Sequence, residues 1–370
     1  MASSEWYTIN NVDELDTPAL VVYPARVQSN IDLVKTMIDD VSRIRPHVKT
    51  HKSKDVCLLM IKAGINKFKC ATIAEAEMLG MSHAPDVLLA YQPSGPKLKR
   101  FIQLIKTYSQ TAFSCLVDNQ VTANSVSTEA LKNNIKIPVY IDLNIGMNRT
   151  GIVPHEALGL YETCVSLPGI NIMGLHAYDG HIHDSDYHVR KQRSDESIEP
   201  VLKLAATILA KGYKEPIVIA GGSPTFPILA QQKNIECSPG TFAYWDRGYQ
   251  LAFKEQAFLT AALVIARVIS LPGDGKICID VGHKSVAAEN ELSKRIYFLN
   301  APELVFTGQS EEHLVADAGK DHQYKVGDIM YGLPYHICPT VSLYERAVLI
   351  ENQLVTGEWK TTARDRKITI

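Results

Sequence analysis

The chain has almost no net charge: 38 Lys and Arg stand against 40 Asp and Glu, a formal −2. Such a balance supplies no field for a polyanion, which argues against nucleic acid and anionic membrane surfaces as partners. No apolar run approaches the roughly 18 residues that a membrane helix needs. The opening Met1-Ala-Ser-Ser-Glu-Trp6 has neither the basic segment nor the apolar stretch of a secretory leader. Cysteine is scarce and odd in number, seven residues scattered singly from Cys57 to Cys338, so a disulfide framework is not expected. A reducing cytoplasm fits, with Cys57 to Cys278 as small buried hydrophobes. Internal repeats, low-complexity tracts and charge blocks are absent as well.

What is present is ordinary globular material, 46% hydrophobic and 21% charged over 370 residues, a length that favours two domains. After Thr17-Pro18 comes a short apolar strand at 19–23 and a helical pattern over 25–39. An alternation follows. Apolar runs recur at 43–48, 67–71, 87–91, 112–117, 138–143, 172–176, 217–220 and 235–238. Amphipathic stretches such as 53–63, 73–81, 97–106, 121–132, 154–166 and 200–211 separate them. Eight strands alternating with helices predict parallel βαβ units, and eight is the number that closes a (β/α)₈ barrel. Past about Phe253 strand-like runs at 263–269, 276–281, 295–298, 313–316 and 347–351 follow one another without long helices. The expected organisation is therefore a barrel over 24–252 and a mostly antiparallel β domain over 253–370, joined by the N-terminal strand at 1–23.

Barrel chemistry sits at the carboxyl ends of the strands. The first barrel strand ends in Arg45-Pro-His-Val-Lys49-Thr-His-Lys52, the fifth in Asn144-Ile-Gly-Met-Asn-Arg149-Thr-Gly151 and the sixth in His176-Ala-Tyr178-Asp-Gly-His181. The seventh and eighth end in Gly221-Gly-Ser-Pro-Thr225 and Ser238-Pro-Gly-Thr241. Two adjacent glycine-rich ends can converge backbone N–H groups and hydroxyls on a dianion, with Gly222, Ser223, Gly240 and Thr241 as phosphate candidates. A lysine in the barrel mouth adds an amine suited to Schiff-base chemistry. Lys49 and Lys52 both qualify.

The stretch Arg45 to Lys52 resembles the motif of the D-threonine aldolase and eukaryotic-type D-serine dehydratase family. These are fold-type III enzymes with an alanine racemase-like barrel and pyridoxal phosphate (PLP) as cofactor. Asp16-Thr-Pro-Ala-Leu20, Met147-Asn-Arg-Thr-Gly151, Gly221-Gly-Ser-Pro-Thr225 and Ser238-Pro-Gly-Thr241 match it in family order. The resemblance implies that Lys49 carries PLP and acts as the catalytic amine, that Arg149 lies near the pyridine nitrogen, and that Tyr178 lies close to the ring. It extends the cofactor set to Lys49, Arg149, His176, Tyr178, Gly222, Ser223, Thr225, Gly240 and Thr241. Two adjacent cations repel, so an arginine there discourages protonation of the ring nitrogen.

In the β domain, Pro334-Tyr-His336-Ile-Cys338-Pro-Thr-Val341 reads as a strand, on which His336 and Cys338 point the same way. Alone, an H-x-C pair is weak evidence for a metal. The resemblance places the family's metal site at this point of the chain, so His336 and Cys338 are its expected ligands. Thiolate with imidazole suits Zn²⁺, whereas the Asp implied for the aldolases at the second position suits harder ions such as Mn²⁺. Cys338 therefore pulls the reading toward dehydration. The implied activity is a PLP- and metal-dependent lyase on a β-hydroxy-D-amino acid, namely dehydration of D-serine, D-threonine or 3-hydroxy-D-aspartate. Retro-aldol cleavage to glycine and an aldehyde is the alternative, with His181 or His183 as its base. Racemisation and non-catalytic PLP carriage remain as further readings. The implied partners are a small amino-acid substrate and a second copy of the chain in a homodimer.

Overall fold

The structure is a computed structural model, and it describes residues 5–370. The part of the N-terminal strand reading and of the leader reading that concerns residues 1–4 lies outside the described residues. The chain divides into two compact units. The first comprises the chain up to Ile31, Thr50–Val56 and Thr241–Arg364, and the second Asp32–Lys49, Cys57–Gly240 and Asp365–Ile370.

Strand β1 (Ala19–Val22) belongs to the first unit. The second unit is built on a seven-stranded parallel sheet in the order β2 (Lys67–Cys70), β3 (Asp86–Leu89), β4 (Ala112–Val117), β5 (Ile137–Leu143), β6 (Ile170–Ala177), β7 (Ile217–Ala220) and β8 (Ile235–Cys237). These strands are nearly continuous in apolar residues because helices cover them outside and packed side chains fill them inside, as Leu88, Leu116, Tyr140 and Ile219 do. Residues 43–48, read from the sequence as the first barrel strand, form no ladder strand, and Arg43 ends a short 3-10 turn. Pro46 has no N–H to give, so the segment bonds only at single bridges. Those bridges still join both sheet edges. Arg45 N–H donates to Cys237 O (2.8 Å) and His47 N–H to Pro239 O (3.0 Å), while Val48 N–H donates to Lys69 O (3.0 Å) and Lys69 N–H to Pro46 O (2.9 Å). The segment thus serves as the first stave and brings their number to eight, and the barrel reading holds.

Inside the same unit the fully buried Arg45 guanidinium reaches Glu236 at 2.8 Å and Asp86 at 2.6 Å. It ties the first, third and eighth staves together. A buried arginine is tolerated only because each face of its fork meets a carboxylate. Helices connect the strands much as the periodicity predicts, Ile73–Met81 at its predicted bounds. The exception is Tyr187–Ala210, 24 residues long, of which only the part from Pro200 onward is legible.

In the first unit β1 pairs antiparallel with β9 (Ala262–Gly273) and parallel with β15 (Arg346–Glu351). Around them a nine-stranded sheet adds β10 (Lys276–Ile279), β11 (Ile296–Phe298), β12 (Val305–Gln309), β13 (Leu314–Asp317), β14 (Ile329–Pro334) and β16 (Leu354–Lys360). All pairings there except β1 with β15 are antiparallel. All seven cysteines are free thiols, and among the described residues no helix is long and apolar enough to cross a membrane.

Candidate active site

The carboxyl ends of the staves in the second unit surround a cavity of about 210 Å³ lined by His47, Lys49, Lys69, Asp142, Arg149, His176 and Tyr178 among others. Lys49 lines it; Lys52 does not. The Tyr178 ring is its centrepiece: Lys49 Nζ lies 5.7 Å, Lys69 Nζ 5.3 Å and the Arg149 guanidinium 5.2 Å from the ring centre. Room for that ring depends on glycines. A Cβ at Gly180 would stand 2.4 Å from the Tyr178 ring, and one at Gly222 3.2 Å. Arg149 has no carboxylate partner among the described residues, so it is not a salt-bridged framework arginine.

Beneath the ring runs a polar chain that sequence reasoning missed apart from His176. His176 Nδ1 lies 2.7 Å from Asp142 Oδ1, and Gln92 Nε2 donates both to Asp142 Oδ2 (2.8 Å) and to Asp118 Oδ2 (3.1 Å). Because a carboxylate only accepts, Nδ1 carries the proton and Nε2 is left as an acceptor. Lys69 Nζ, 3.1 Å from Nε2, is then the donor. Burial opposes the Asp142 charge, but the bond and attraction from His176 outweigh it and hold the carboxyl below its ordinary range. The Lys69 pKa is also pushed down, to about 7, first by burial and then by the Lys49 charge. Its signal was available: a lysine inside a short strand of a parallel sheet buried on both faces is out of place.

The two glycine-rich loops come together, since Gly240 N–H donates to Ser223 Oγ (3.1 Å). Gly221 sits at φ +77°, a left-handed turn that suits glycine. Thr225 is less free than the motif suggests. Its hydroxyl accepts Gly222 N–H (3.3 Å) and bonds the buried Asp179, whose carboxyl burial pushes up to about 6. Ser238 Oγ, by contrast, is buried with no partner among the described residues. The Gly221, Gly222 and Gly240 N–H groups are already engaged within the barrel, so the orphaned Ser238 hydroxyl is the group that fits the phosphate of PLP, and the cavity's lysines and arginine fit its ring and aldehyde. Thr241 belongs to the first unit, where its Oγ1 lies 4.0 Å from Cys338 Sγ. His181 and His183 do not line the cavity.

The second constellation lies in the first unit and corrects the strand reading of Pro334 to Val341. Strand β14 ends at Pro334; His336 is the extended N-cap (φ −133°, ψ 102°) of a short helix, Ile337–Val341. Pro339 in that first turn favours the helix over an extended run. The alternation argument therefore fails, yet the turn itself brings imidazole and thiol within hydrogen-bonding reach. Glu289 accepts a hydrogen bond from His336 Nδ1, and Thr50 Oγ1 lies 3.1 Å from Cys338 Sγ. Buried Asp246 holds the helix start, accepting Ile337 N–H (3.1 Å). Burial alone would lower the His336 pKa, but Cys338, Asp246 and Glu289 raise it to about 9. A carboxylate on Nδ1 directs Nε2 outward as a ligand, so the pair suits a soft divalent ion. Among the described residues no third His, Cys, Asp or Glu joins the pair.

Residues 22–247 match the alanine racemase N-terminal domain, and residues 261–350 the putative serine dehydratase domain. A D-threonine aldolase of Arthrobacter sp. is 26% identical over 95% of this chain and 93% of its own length. A D-threo-3-hydroxyaspartate dehydratase of Delftia sp. is 24% identical over 88% of this chain and 92% of its own. The solved D-threonine aldolase of Filomicrobium marinum superposes with a TM-score of 0.86 at 24% identity, covering 98% of this chain and 99% of that one. Barrel, second sheet domain and cavity thus define an alanine racemase-like enzyme. The chain belongs to the family of the alanine racemase N-terminal domain, joined to a serine dehydratase-type domain. It is a PLP-dependent lyase of the D-threonine aldolase and D-serine dehydratase type.

Proposed function

We propose that the enzyme dehydrates a β-hydroxy-D-amino acid (D-serine, D-threonine or 3-hydroxy-D-aspartate), releasing ammonia and a 2-keto acid. The observation that carries this reading is the cavity at the stave ends, where Lys49, Arg149 and Tyr178 converge. PLP, when bound, supplies an electron sink for a bond at Cα, and a divalent metal, with zinc favoured, supplies a Lewis acid. Lys49 is the residue that carries PLP and, once free, takes the α-proton. Arg149 would face the ring nitrogen and disfavour its protonation, His176 and Tyr178 would pack against the ring, and Gly222, Ser223, Thr225, Gly240 and Thr241, joined by Ser238, would hold the phosphate. His336 and Cys338 hold the metal, and Glu289 orients His336.

Cys338 favours dehydration over retro-aldol cleavage, because hydroxyl departure needs a Lewis acid while cleavage also needs a base for the hydroxyl proton. The Delftia dehydratase supports the pairing: it has been solved as a histidine-to-alanine mutant and as a cysteine-to-alanine mutant in a metal-free form, the two positions two residues apart. The aldolase relatives support cleavage as the second reading. The test is the product profile from D-threonine. The proposal expects 2-oxobutyrate and ammonia to exceed glycine and acetaldehyde in kcat/KM, with Cys338→Asp shifting the ratio toward acetaldehyde. Acetaldehyde in excess from the unmodified enzyme refutes dehydration as the main reaction. A homodimer working in the cytoplasm completes the proposal.

A further inference from the structure

Lys69 is the one lysine of the cavity for which the family motif has no task. Its side chain enters from β2 below the Tyr178 ring, and the residue is only 2% exposed. An ammonium carries three donors. Among the described residues one of them is satisfied, by His176 Nε2 at 3.1 Å, and His176 is itself fixed from behind by Asp142 at 2.7 Å. Lys69 also lines the cavity, so its remaining donors are within reach of a ligand there. Lys49 comes from the neighbouring stave and Arg149 from beyond β5, so three cationic side chains surround a space whose lining holds one carboxylate, Asp142, already bonded to His176. Such a space is incomplete without an anion.

We propose that Lys69 is a second cationic anchor of this site: seated on His176, it donates to an oxyanion of the bound ligand and gains its proton as that oxyanion binds. The shared chemistry is an oxygen anion, either the ring oxygen of the cofactor or a carboxylate of the substrate. The inference rests on the cavity being the ligand site, and is independent of which bond the enzyme breaks.

The groups acting on Lys69 are few and named. Burial, Lys49 and Arg45 disfavour its charge, whereas Asp179 and Asp142 favour it, and the balance leaves its pKa at about 7. His176, also lowered by burial first, serves as a neutral acceptor. An arriving anion adds attraction and hydrogen bonding to the charged form, so the bound pKa lies above the free one. The difference is read above the free pKa. Above the free pKa the amine is mostly neutral and binding takes up a proton, whereas well below it the amine is already charged and little is taken up. With PLP on Lys49 the repulsion from that ammonium is removed, which moves the free pKa upward.

The experiment titrates the PLP-loaded enzyme with malonate, an unreactive dicarboxylate, by calorimetry in buffers of different ionisation enthalpy. If the oxyanion is a substrate carboxylate, proton uptake rises with pH through the free pKa of Lys69 and is small at pH 6. Lys69→Met then abolishes the uptake and weakens malonate about tenfold or more, the loss of a charge-assisted hydrogen bond. Lys69→Arg keeps the affinity without the uptake, because arginine is charged throughout. If the oxyanion is the cofactor's ring oxygen, malonate-linked uptake is unaffected by the substitution. Lys69→Met instead displaces the pH midpoint of the visible PLP band by a unit or more, and Lys69→Arg does not. Malonate affinity, proton uptake and band midpoint all unchanged in Lys69→Met overturn the proposal. Loss of the band in Lys69→Met would instead mark Lys69 rather than Lys49 as the PLP lysine, a failure of the site reading distinct from this one.

Discussion

Removing the Glu289 carboxylate separates a metal-orienting role from a folding role. Glu289 holds His336 Nδ1, and the two side chains are 46% and 48% exposed. An ion pair this open contributes about 0–1 kcal/mol to folding. A carboxylate behind a metal-bound imidazole contributes more to metal affinity, typically ten- to a hundredfold. By that measure Glu289→Gln, which retains an acceptor but no charge, is expected to weaken zinc about tenfold. Glu289→Ala is expected to weaken it toward a hundredfold, or about 2.7 kcal/mol. The assay is competition for zinc against a chromophoric chelator, with urea unfolding of the metal-free chain alongside. Zinc affinity within twofold of wild type in both variants would refute the reasoning. So would a loss of folding stability as large as the loss in zinc binding, since Glu289 would then be structural.

Two further perturbations test the barrel. Arg45→Met leaves buried Glu236 with Lys67 as its remaining cation and half-buried Asp86 without its arginine, so urea unfolding is expected to show a loss of about 1.5–3 kcal/mol, that of charge-assisted hydrogen bonds; a loss under about 0.5 kcal/mol contradicts the ion-pair account. Gly180→Ala places a Cβ 2.4 Å from the Tyr178 ring, so the ring must move; a misplacement near 1 Å is expected to cost on the order of a hundredfold in kcat/KM, and unchanged kinetics would remove Tyr178 from the cofactor's surroundings.

The barrel was legible because hydrophobic periodicity is dictated by burial on both faces of a parallel sheet, and it survives even where a ladder does not form. Residues 43–48 show the limit. Their apolar pattern is that of a strand, but Pro46 reduces the pairing to single bridges. The charged first half of Tyr187–Ala210 carries too weak an apolar stripe to be read as a helix. His336 and Cys338 were expected as ligands through the resemblance alone, and they meet for another reason than strand alternation, in a turn that Pro339 helps to start. Asp142 and Gln92 were missed because each is unremarkable in its own segment, whereas Lys69 was overlooked although a lysine inside a short strand of a buried parallel sheet is out of place. Their meaning arises only when β2, β5 and the loop after β3 bring them under one ring. Ser238, present in a quoted motif, stood out only once its hydroxyl proved buried and unpartnered.

The central claim, that Lys49 carries PLP, is tested most directly by reducing the PLP-loaded enzyme with borohydride and sequencing the labelled peptides by mass spectrometry. The account predicts the pyridoxyl group on Lys49, and its absence together with loss of the visible band and of turnover in Lys49→Ala. A pyridoxyl group on Lys52 or Lys69, with Lys49→Ala still labelled and active, contradicts it.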